Sequence, residues 1–150
     1  VGIATLYRNF ESRDALAEEV ALAILADIRD VSDSALAAMP ETPDAAWRGY
    51  IGALVELDLG ALAEGLSSLA EGGLVDRVRE AQTTTLRRVE AIIAAARERG
   101  LLTADLSAIE LIVAIGMITR PQSAEVHAAA PHLVRRLVDI LVAGMQHPRA

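Results

Sequence analysis

Cysteine is absent from the 150-residue chain, which excludes disulfides, thiolate zinc sites, iron–sulfur clusters and cysteine nucleophiles. Lysine is absent too, so all fourteen basic residues are arginine. Aromatics make up 3% of the chain, against 29 alanines, a mix that favours helix over sheet. No apolar run approaches the ~18 residues of a membrane span. The longest, Leu111 to Ile118, reads as a core or interface helix. No Gly-rich phosphate loop, nucleophile elbow or Glu-x-x-His pair occurs. The histidines are His127, His132 and His147, and Pro131 separates the first two, so they share no helical face. No enzyme, metal site or cofactor is expected from this inventory.

Hydrophobic residues at 53% and charged residues at 23% describe a folded chain of one domain's length. At that length a chain buries about 70% of its unfolded surface. The net charge is −7, so the molecule as a whole repels nucleic acid. Residues 1–13 nonetheless carry Arg8 and Arg13 against Glu11, a net of +1, and residues 14–150 carry −8. Any contact with DNA belongs at that first segment. The lack of cysteine fits a reducing cytoplasm.

Periodicity predicts seven helices with short connections and no strand, an all-α helical bundle. A two-turn helix spans Ile3 to Phe10, with Leu6 and Phe10 on one face. Ser12 caps a long helix from Arg13 to Ala38, striped by Leu16, Val20, Ile24 and Ile28 and ended by Met39-Pro40. Thr42-Pro43-Asp44 starts the next helix, which carries Trp47, Ile51, Leu54 and Val55 to about Gly60. A short helix over Ala61–Leu69 follows, then one from about Leu74 to Arg99, closed by Gly100. Ser107 and Glu110 form a capping box for a helix to about Thr119 that is apolar almost all round. Arg120–Ala130 is undecided, and Pro131 opens the last helix.

The block Thr5-Leu6-Tyr7-Arg8-Asn9-Phe10, followed by Ser12-Arg13-Asp14-Ala15-Leu16, resembles the DNA-binding segment of the tetracycline-repressor (TetR) family of bacterial transcription factors. The residue chemistry agrees: an apolar rear, Leu6 and Phe10, and a polar front, which a recognition helix needs. Thr5, Tyr7 and Asn9 carry groups that bond phosphate oxygens, and Arg13 adds a further phosphate contact. Arg8 can bind phosphate or pair with an acid. By the resemblance, Ile3 and Ala4 fall near base edges, where they can touch a thymine methyl. The family sets two helices ahead of this block, which implies roughly 30 to 50 residues upstream.

The resemblance further implies a division into residues 1–38, the remnant of a DNA-binding domain plus the linking helix, and 39–150, a ligand-binding and dimerisation domain. A homodimer is expected on the last two long helices, through Leu111, Ile115, Ile118, Val134, Leu137, Val138 and Leu141, with Gly116 and Ala114 permitting close approach. A pocket is expected between the Asp44–Leu59 and Leu74–Arg99 helices. There Gln82 and Thr85 share a stripe with Val75, Val78 and Val89, and Trp47 and Tyr50 reach the same interior. Those two polar groups either meet a ligand or bond to neighbouring helices. The expected partners are double-stranded operator DNA, a small and largely apolar effector, and a second copy of the chain, with no membrane. The expected function is a ligand-responsive regulator, a repressor released from its operator by that effector. The alternative is a helical homodimeric module that binds a small molecule or a protein and has no DNA-binding role.

Overall fold

The computed structural model describes residues 12–57, 59, 60 and 76–146. Six helices have both ends within that set: α1 (Arg13–Ala38), α2 (Pro43–Glu56), α3 (Asp76–Glu98), α4 (Ala108–Ile118), α5 (Ala124–Ala129) and α6 (Leu133–Gln146). Among the described residues there is no strand, and the fold is all-α. The expected helices over Ile3–Phe10 and Ala61–Leu69 lie outside the described residues.

Local chemistry sets most helix ends. Ser12 accepts a hydrogen bond from the Ala15 amide at 3.1 Å, which starts α1 as expected. Pro43 and Asp44 occupy the first turn of α2, yet the Thr42 hydroxyl does not cap that helix. It donates backwards to the Ala38 carbonyl at the end of α1, 3.3 Å away. Gly100 has φ +71°, and its amide and that of Leu101 donate to Arg97 and Ala96 carbonyls, both at 2.9 Å. This Schellman turn closes α3 and lets Leu101 fold back into the core. The undecided stretch after Arg120 contains α5, six residues capped by Ser123 and with no buried side chain. The last helix begins at Leu133, two residues beyond the expected proline start.

Four helices close into a ring. α1 packs on α2 and α3, and α4 packs on the same two from the other side. The Glu18–Arg77, Leu25–Thr85 and Asp33–Arg88 contacts advance together along both helices, so α1 and α3 run parallel. The core lies inside this ring and includes Ile28, Met39, Trp47, Tyr50, Leu54, Val89, Ile92, Ile93, Leu111 and Ile115. α6 packs on α4 outside it. Its C-terminus is held by the loop after α3: the Thr103 amide donates to Met145 at 2.9 Å and the Thr103 hydroxyl to Gln146 at 2.9 Å.

The inward face of α1 differs from the expected four-residue stripe. Val20 is exposed and Ile24 half-buried, while Ala21, Ile28, Ser32, Ala35 and Met39 are buried. A strict step of four advances about 40° around a 3.6-residue helix each time and walks off the face. Steps of three, four and seven stay on it.

Candidate functional site

The described residues give the ring an apolar interior. Among the described residues, the buried polar side chains besides Trp47 and Tyr50 are Ser32 and Thr85, and no charged side chain is buried. Trp47, Tyr50, Ile51 and Leu54 recur at helical spacing on α2, which turns all four inward. The Trp47 and Tyr50 rings tilt at 35° with centroids 6.0 Å apart.

Each buried polar group can be followed to its partner. The Ser32 hydroxyl gives its single hydrogen to the Ile28 carbonyl at 2.7 Å. It must therefore accept in its 3.0 Å contact with Tyr50, so the phenol is the donor there. Burial pushes the Tyr50 phenol up to about 12, so it stays protonated and neutral. The Thr85 hydroxyl donates to the Leu25 carbonyl of α1 at 3.1 Å. The Trp47 indole nitrogen is fully buried and has no hydrogen-bond partner.

Of the four residues expected at the pocket, the structure thus brings Trp47 and Tyr50 together inside the ring. Thr85 is buried, and its hydroxyl donates to the Leu25 carbonyl of α1, the bond to a neighbouring helix that was one of its two expected roles. Gln82 is half-buried. α2 and α3 stand opposite each other, joined through α1 and α4. Ser32 was missed by the sequence reading. A serine on the inward side of an otherwise aliphatic helix was the available signal.

The outside of α4 carries a second feature. Ile109, Val113 and Met117 lie four residues apart and are exposed, Met117 to 72%. Leu133, Leu137 and Ile140 are exposed on α6, Ile140 to 61%. Six large apolar side chains on two packed helices make a face that water disfavours. Leu111 and Ile115, expected at a seam between copies, are instead at 0% exposure in the chain's own core. The correction is a matter of helix phase. A helix apolar all round has two candidate faces, and only its neighbours decide which points inward. Ile118 is half-buried, as are Val134, Val138 and Leu141, and the last two pack against the core. Leu137 is the expected seam residue that stands exposed. Gly116 is buried beside Leu59 of the same chain.

The residues expected to touch DNA, Ile3, Ala4, Thr5, Tyr7, Arg8 and Asn9, lie outside the described residues, and so does the side chain of Arg13. The backbone of Arg13 opens α1. Among the described residues, no cluster of three or more His, Asp or Glu side chains could hold a metal, and no helix is long and apolar enough to cross a membrane.

Residues 42–147 match the family model of the C-terminal domain of SbtR-like transcriptional regulators, a TetR C-terminal domain. The match runs from the start of α2 through the end of α6, and the chain belongs to the TetR family of transcriptional regulators. A comparison with curated proteins gave no match.

Proposed function

We propose that this regulator is a homodimeric, ligand-responsive repressor, released from operator DNA in the cytoplasm by a small and largely apolar effector. Residues 1–38 supply the recognition segment and the linking helix, and residues 39–150 the ligand-binding and dimerising body. The observation that carries the reading is the ladder between α1 and α3. Arg77 pairs with Glu18 at 3.0 Å, Thr85 bonds Leu25 at 3.1 Å, and Arg88 pairs with Asp33 at 3.3 Å. α1 is thereby tied along its length to α3, and its first residue, Arg13, lies three positions after Phe10, the end of the block that resembles a recognition helix. An effector that favours one ring geometry shifts the population of α1 orientations, and with it the separation of two recognition helices.

Selection from a random duplex pool with the full-length protein tests this. A site with two inverted half-sites is expected, with affinity falling steeply as salt rises. Tyr7→Phe and Arg13→Ala should weaken binding to all duplexes alike, as positioning contacts do. Recovery of no duplex would contradict the proposal.

A further inference from the structure

We propose that the Trp47 indole N–H is the donor that reads the effector, and that the effector is a neutral, mostly apolar molecule presenting one hydrogen-bond acceptor, of the ketone, ester or ether class. This rests on the ring interior being the effector site.

The argument is one of elimination among buried polar groups. An indole N–H can only donate, and leaving it unpaired in an apolar core is costly. Ser32 has given its proton to Ile28, Tyr50 has given its proton to Ser32, and Thr85 has given its proton to Leu25. Trp47 is the one buried side chain among the described residues with a hydrogen still to give. It stands on α2 beside Tyr50, facing the interior that α1, α2, α3 and α4 enclose. An acceptor atom on the effector completes it. Among the described residues no cation is buried there to hold a carboxylate or phosphate, and desolvating an anion without one is prohibitive, so the acceptor belongs to an uncharged molecule. Because the bond is made inside a low-dielectric core, a molecule of equal shape without the acceptor is discriminated against.

Trp47 is the only tryptophan, so its indole gives a single, assignable N–H resonance. The test uses cyclic ketones of six to ten carbons, and the hydrocarbons in which C=CH2 replaces C=O. The melting temperature and the Nε1–H resonance of the full chain are followed together. A ketone should raise the melting temperature, move the Nε1–H resonance downfield and bind about tenfold more tightly than its hydrocarbon twin. Trp47→Phe should abolish that preference and leave the hydrocarbon's affinity within about twofold. Should the variant fail to fold, the comparison of twins on the wild-type protein decides alone. Equal binding of twins, or a melting shift that leaves the resonance unmoved, overturns the role of Trp47 while the effector reading survives. A resonance that shows contact with a retained water and ignores every ketone overturns it as well. If no member of the series binds, the ligand class is wrong. The effector reading is tested separately, by whether any compound that raises the melting temperature also weakens binding to the selected duplex.

Discussion

Tyr50 shows how a single residue in this core acquires a measurable pH signature. Its phenol is pushed from the ordinary 10 up to about 12 by burial, so the folded state keeps the proton after the unfolded chain has lost it. Between pH 10 and 12 the folded state therefore binds more protons, and stability falls as pH rises. The contribution is fully present below pH 10. One group of this kind gives a slope of at most about 1.4 kcal/mol per pH unit. With no lysine in the chain, few other groups ionise in that window. Urea unfolding at pH 9, 10 and 11 should show the decline, and Tyr50→Phe should flatten it. Gly100 provides a second residue-level check. Its φ of +71° suits glycine, so Gly100→Ala should cost about 1 kcal/mol, read as a lower urea midpoint with unchanged slope. Both Gly100 and the Ser12 cap were legible in the sequence because their bonds span five residues or fewer. The partner of Thr85 was not, because Leu25 is sixty positions away and is a backbone carbonyl that no residue type announces.

At the scale of elements, α4 carries the clearest consequences. Its start is fixed twice over. Ser107 and Glu110 bond reciprocally, the Ser107 amide donating to the Glu110 carboxylate at 2.9 Å, and Glu90 reaches from α3 to accept the Ala108 amide at 2.7 Å. Those bonds from Ser107, side chain first and then backbone, hold the Glu110 carboxyl below its usual range. Ser107→Ala should cost about 1 kcal/mol, measured by thermal or urea unfolding. Helix existence read well from the sequence wherever caps and periodicity agreed, as for α1, α3 and α4. Phase read less well. On α1 the expected stripe drifted around the helix, and on α4 the expected seam residues Leu111 and Ile115 proved to be the inward pair. Composition cannot supply phase to a helix that is apolar on both sides. The tertiary neighbours α2, α3 and α6 supply it.

For the whole molecule, each proposed step requires two copies joined in register: two recognition segments, an inverted-repeat site, and an effector that changes their spacing. The surface expected to join them is the outer face of α4 and α6, paired with the same face of a second copy. A two-fold contact of this kind is self-complementary, and Val113, Met117, Leu137 and Ile140 are the apolar side chains that would meet there. Substituting Ile115 would be uninformative, since Ile115 lies in the chain's own core and a charge there would unfold the protomer. Met117 and Ile140 are exposed in the protomer, so a charge at either should leave the fold intact. The decisive measurement is sedimentation velocity on the wild-type chain and on Met117→Arg and Ile140→Arg, with helical circular dichroism recorded alongside. The expected result is a dimer for the wild type and monomers of unchanged helix content for both variants. A monomeric wild type, or variants that remain fully dimeric, would contradict it.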